Sequence, residues 1–115
     1  MSGPRAGHIV STMTNDTFKA LAHPLRRDIV ERLSGGVATV GEVTRDSGVS
    51  KPTISRHLKL LEEAGLVSRV VEGRIHRLAL RPEGLAEASD WIESQRERWE
   101  RLFDVVGDYL DERKE

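Results

Sequence analysis

The chain contains no cysteine. This excludes disulfides, thiolate-held metals and a thiol nucleophile, and it is compatible with the cytoplasm, the expected location. Aromatic residues are scarce, at 4% of 115 residues. A core of stacked rings is therefore not expected; helices packed through Leu, Val, Ile and Ala fit better. No apolar run approaches the ~20 residues that a membrane span needs, so no membrane partner is expected. Met1 to Met13 carries one Arg and no apolar stretch, and does not read as a secretory signal. Its Gly, Ser and Thr content suggests a flexible tail over residues 1–14, followed by one domain over 15–115. A chain of this size buries a workable core, but not a large one.

Net charge is also lacking, at −1, yet the charge is unevenly spread. Residues 50–81 hold seven basic side chains against three acidic ones, whereas residues 82–115 hold five basic against eleven acidic. A basic middle and an acidic end allow one surface to meet phosphate while another faces away. Uneven charge is also common in short chains, so the asymmetry decides little alone.

What is present is a succession of short helices. Phe18, Leu21 and Ala22 have helical spacing within residues 15–22, and His23-Pro24 interrupts them. Proline suits the first turn of a new helix, which runs to about Leu33 and buries Leu25, Ile29, Val30 and Leu33. Ser34-Gly35-Gly36 ends it. Thr39 and Glu42 match a capping box that opens a short helix ending near Ser47-Gly48. Ser50 caps the next helix, with Lys51 and Pro52 in its first turn and Gly65 placed for a left-handed C-terminal cap. Leu66 to Val71 and Arg74 to Leu80 read as strands joined at Glu72-Gly73. From Pro82 a long helix runs to about residue 112. The expected fold is mainly α with a small β-hairpin, in the order α-α-α-α-β-β-α.

Two short helices joined by the tight turn Asp46-Ser47-Gly48-Val49 form a helix-turn-helix pattern, and the hairpin after it would be a wing. In the second helix Ile54, Leu58 and Leu61 point to the core. Pro52, Arg56, Lys59 and Glu63 lie opposite, flanked by Thr53 and Ser55. Cations and small hydroxyls near the N-terminal end of such a helix suit major-groove reading of double-stranded DNA, and the free amides of its first turn attract phosphate. Candidate DNA contacts are therefore Ser50, Lys51, Pro52, Thr53, Ser55, Arg56, His57 and Lys59, with Arg69, Arg74 and His76 from the wing. The plainer readings are an ordinary amphipathic helix and a hairpin whose cations serve solubility.

At this point the residues resemble a family. Leu21-Ala22-His23-Pro24-Leu25-Arg26-Arg27, followed by Ile29-Val30 and Leu33, looks like the opening of the ArsR-type transcriptional regulators. Residues 50–59, Ser-Lys-Pro-Thr-Ile-Ser-Arg-His-Leu-Lys, running on through residues 61–67, look like their recognition helix. The resemblance covers roughly residues 15–110. It implies a winged-helix homodimer that represses by occupying a palindromic operator and pairs through its first and last helices.

The last helix carries Leu85, Ala88, Ile92, Gln95, Trp99, Leu102, Val106 and Tyr109 at alternating steps of three and four, widened by Trp91 and Phe103. This is a heptad stripe with one polar break. With Phe18 of the first helix it is the expected homodimer interface. The alternatives are a wholly intramolecular stripe, a ligand cavity lined by Trp91 and Trp99, and a helix that binds another protein. Under the last reading the chain is a protein-interaction module rather than a DNA reader.

No metal, cofactor or enzymatic activity is expected. Many members of the family sense metals through Cys on the helix before the turn, or Asp and His on the last helix. Here the first location reads Glu42-Val43-Thr44-Arg45-Asp46, and the last helix has no His. His8, His23, His57 and His76 show no paired ligand spacing; His8 with Asp104 and Asp108 across a dimer is the one combination left to weigh. Ser55 and His57 diverge by about 160° on a helix and form no nucleophile–base pair. The inducing signal, if there is one, is not encoded in any motif.

Overall fold

The computed structural model describes residues 12–113; most of the expected tail, and His8 within it, lie outside the described residues. Five helices and three short strands follow in the order α1 (Thr12–Leu21), α2 (Pro24–Ser34), β1 (Ala38–Thr39), α3 (Val40–Ser47), α4 (Lys51–Glu63), β2 (Val67–Glu72), β3 (Ile75–Leu80) and α5 (Pro82–Arg113). The expected helices and hairpin are present, with two corrections.

The first correction is at the N-terminal end. α1 begins at Thr12, so residues 12–14 are helical rather than tail, and Thr14 and Thr17 are 2% and 0% exposed. The reason lies in α5: a Cβ on Gly84 would stand 3.1 Å from both Thr17 Oγ1 and Leu66 Cδ2. Glycine there lets α5 approach α1 closely, and the threonines are covered by that approach. The second correction is the sheet, which has three strands rather than two. Ala38 and Thr39 pair antiparallel with Leu78 and Arg77, giving the order β1-β3-β2.

Local chemistry places the boundaries. His23 Nδ1 caps α2 by accepting from the Leu25 amide, and Pro24 occupies the first turn. Arg26 and Arg27 reach back to the carbonyls of Ala20 and Leu21, which ties the end of α1 to the start of α2. The α4 C-terminus closes with the Leu66 amide on the Leu61 carbonyl and the Gly65 amide on the Glu62 carbonyl. The core forms where α2, α3 and α4 meet the base of the sheet: Ile29, Val43, Ile54, Leu58, Leu61, Leu66 and Leu78 are each at most 2% exposed. This core holds α4 so that its opposite side faces solvent.

α5 is the exception to the compact arrangement. Its first turns pack on α1, with Ala88 buried, Leu85 against the core, and the rings of Phe18 and Trp91 edge to face at 5.6 Å. α1 has 10 residues and α5 has 32, about 15 Å against about 48 Å at 1.5 Å per residue. The second half of α5 therefore extends beyond the reach of α1, and among the described residues its apolar side chains are exposed.

Candidate nucleic-acid interface

The site is built by α3, the turn, α4 and the β2–β3 hairpin. The capping box forms as expected: Thr39 Oγ1 accepts from the Glu42 amide at 3.1 Å, and Glu42 Oε1 accepts from the Thr39 amide at 3.0 Å. The Thr39 amide is the largest influence holding the Glu42 carboxyl below its usual range. Gly48 ends α3 at φ +72°, a left-handed conformation that lets the chain reverse within a few residues. Ser50 then caps α4; its Oγ lies 3.4 Å from the Thr53 amide and 2.9 Å from Thr53 Oγ1.

This order aims one face of α4 outward. Lys51, Pro52, Ser55, Arg56 and Lys59 are exposed, and Thr53 is half-buried beside its cap. Lys51, Arg56, Lys59 and Arg74 make no ion pair among the described residues. Other arginines are engaged: Arg32 with Asp46 and Glu42, Arg77 with Glu72, and Arg96 with Glu93 and Glu100. A cation with no protein anion keeps its full charge available to a phosphate. Arg74 occupies the two-residue loop between Glu72 and Ile75. Between α4 and this hairpin lies a groove of about 620 Å³ lined by Lys51, Ser55, Arg69, Arg74, His76 and Arg77, among others.

Three of the expected contact residues have partners within the chain. His57 faces α2, where its Nδ1 accepts from Arg26 Nη1 at 3.0 Å and its ring lies 4.5 Å from that of His23. Burial, and then the neighbouring His23, Arg26 and Arg56, push the His57 pKa below its ordinary value, which favours the neutral ring. Arg69 and His76 bond to each other, and Arg69 also bonds to Glu62. Sequence reasoning had no means of seeing these partners, because they lie on different elements. Arg26, which bonds both to α1 carbonyls and to His57, was missed for the same reason.

The stripe on α5 divides. Leu85 and Ala88 are used within the chain, and Gln95 is half-buried. Ile92, Trp99, Leu102, Phe103, Val106 and Tyr109 are 44–64% exposed, and Leu110, which the stripe had not included, is 54% exposed. Among the described residues no group of three or more His, Asp or Glu is placed to hold a metal ion. Among the described residues no helix is long and apolar enough to cross a membrane.

Comparison with known proteins agrees with this geometry. The sequence pattern of a helix-turn-helix domain family matches residues 21–70. The chain is similar to the transcriptional repressor SdpR of Bacillus subtilis, 35% identical over 78 residues that make up 68% of this chain and 87% of that protein. It is also similar to an HTH-type transcriptional regulator of Mycobacterium tuberculosis (Rv2034), 48% identical over 69 residues, 60% of this chain and 64% of the relative. Among solved structures, that of an ArsR family transcriptional regulator superposes with a TM-score of 0.73 at 34% identity, covering 76% of this chain and 91% of the other.

Proposed function

Since this chain belongs to the ArsR-type winged helix-turn-helix transcriptional regulators, we propose that it acts as a homodimeric repressor on a two-fold symmetric DNA site. The observation that carries the reading is the set of unpaired cations on one surface, Lys51, Arg56 and Lys59 on α4 and Arg74 on the wing. α4 enters the major groove. Arg56 is placed centrally on its outer face and is suited to fork onto a guanine edge; Ser55 and Thr53 flank it. Lys51, Lys59 and Arg74 bind phosphate, which supplies affinity without sequence information.

Pairing rests on α5. A single recognition helix reads too few base pairs for tight, specific binding, and a two-fold dimer sets two of them about one DNA turn apart, ~34 Å. The uncovered apolar half of α5 supports that arrangement, since a second copy would bury it. The SdpR relative is by name a repressor, and occupying an operator is the simplest way for such a dimer to act.

Selection of duplexes from genomic DNA with the purified protein, followed by anisotropy titration, tests the reading. A recovered inverted repeat bound as a dimer is expected. Absence of any duplex binding at low salt would sink it. A chain that sediments as a monomer and pairs only with a different protein would favour the interaction-module reading, which the same exposed α5 face motivates.

A further inference from the structure

Arg69 lies in the wing, where the sequence pattern ranks it with the DNA-binding cations, yet the fold turns it inward. It sits opposite Leu78 on β2–β3, and His76 sits opposite Val71. Arg69 and His76 are therefore diagonal neighbours on one face of the hairpin. That face begins at Val67 and Leu78, which are 3% and 0% exposed, so it is the side that packs on the domain. Arg69 Nη2 donates to Glu62 Oε1 at 2.6 Å, Nε donates to Glu62 Oε2 at 3.3 Å, and Nη1 donates to His76 Nδ1 at 3.0 Å. Arginine has only donors, so the His76 nitrogen must accept. One guanidinium thus joins α4, β2 and β3.

Its position along the hairpin matters. Beyond this tie Val70, Val71 and Ile75 are exposed, and the core no longer holds the strands. Glu62 lies on the same side of α4 as Lys51 and Ser55, which line the groove facing the wing. Among the described residues the fork from Arg69 to Glu62 is the one ion pair that joins α4 to the hairpin.

We propose that Arg69 is a positioning residue, which through Glu62 and His76 fixes the wing against the recognition helix and so sets the reach of Arg74, without itself contacting phosphate. This rests on the DNA-reading function proposed above. The two possibilities for Arg69 differ in sign. If Arg69 binds phosphate, Glu62 competes with DNA for it, and removing Glu62 should tighten binding. If Arg69 positions the wing, removing Glu62 loosens the tip and weakens binding.

The test uses the full chain and a fluorescent duplex carrying the selected site, titrated over a range of salt concentrations. Glu62→Gln and Arg69→Lys each break the fork while keeping the fold's size and, for Arg69→Lys, the charge. Glu63→Gln removes the same charge from α4 without touching the tie. Expected are about three- to tenfold weaker binding for Glu62→Gln and for Arg69→Lys, the range of an ordinary hydrogen bond's net contribution, because the loss reaches DNA only through the position of Arg74. The double variant should be no weaker than the worse single one, with an unchanged salt slope, and Glu63→Gln should not weaken binding. In the free protein, amides of residues 70–75 should exchange hydrogen faster in both fork variants. Binding by Glu62→Gln at least as tight as by Glu63→Gln, or wild-type affinity in Arg69→Lys, would overturn the assignment. If the wild type binds no duplex, the DNA reading falls separately, and hydrogen exchange decides the tie alone: faster exchange at the tip supports it, unchanged exchange refutes it.

Discussion

The outer face of α4 and the distal half of α5 are both unsatisfied surfaces, but they lack opposite things. α4 shows cations without bound anions: Lys51, Arg56 and Lys59 make no ion pair among the described residues. Distal α5 shows exposed apolar side chains, while its Arg96 is held between Glu93 and Glu100 on the same helix. Each lack specifies a partner. Unneutralised cations are suited to a polyanion, because releasing its counterions favours the contact. A stripe of Trp99, Leu102, Phe103, Val106 and Leu110 is suited to another apolar helix face, because removing that area from water is favourable. Under the proposed function, two surfaces of one small domain would divide the work, one for reading and one for pairing.

The largest effect should come from mixing the two chemistries. Leu102→Asp places a charge within the apolar stripe and is expected to yield monomers by sedimentation. Loss of the linked second half-site should weaken specific DNA binding by roughly a hundredfold or more. A monomeric variant with undiminished affinity would show that pairing is irrelevant to reading. Next in size, Arg56→Ala should cost about 1–3 kcal/mol on the selected site and relax the preference at one base pair, as read by competition with mutated duplexes. An equal loss on every sequence would instead make Arg56 a phosphate ligand. Arg74→Ala should weaken binding uniformly and lower the slope of log affinity against log salt by about 0.9, the value for one phosphate contact. An unchanged slope would remove Arg74 from the interface.

The smallest effect concerns pH and the side of α4 that faces neither partner. The His57 pKa is depressed in the fold, so the unfolded chain takes up its proton first. The stability contributed by neutral His57 is therefore complete above its ordinary value of 6.5 and is lost as pH falls below it. Protonation would set a cation beside Arg26, Arg56 and His23 and remove the acceptor that Arg26 uses. Denaturant melts of wild type between pH 7 and 5 should lose stability more steeply than those of His57→Gln. Parallel curves would mean that the contact contributes nothing measurable.

Much of this was legible from local chemistry. Thr39 with Glu42 and Ser50 with Pro52 mark two helix starts, because capping needs only residues three positions apart. Ile54, Leu58 and Leu61 mark the core side of α4, and all three are fully buried. Strand β1 was not legible: two residues have no periodicity, and they become a strand only because Leu78 and Arg77 are beside them. Nor was the start of α1, since Thr14 and Thr17 look like solvent-facing residues until Gly84 brings α5 over them.

The wing arginines separate the two kinds of information most clearly. Sequence alone determined that Arg69 and Arg74 lie on a hairpin after a recognition helix, because spacing and turn residues act over a few positions. Tertiary structure alone decided that Arg69 is engaged while Arg74 makes no ion pair among the described residues, because Glu62 reaches Arg69 from another element. Charge is a property of the residue, whereas its availability depends on which anions the fold brings within reach. The same holds for α5, where the apolar stripe is written in the heptads. Which half of it is exposed among the described residues was decided by how far α1 reaches along α5.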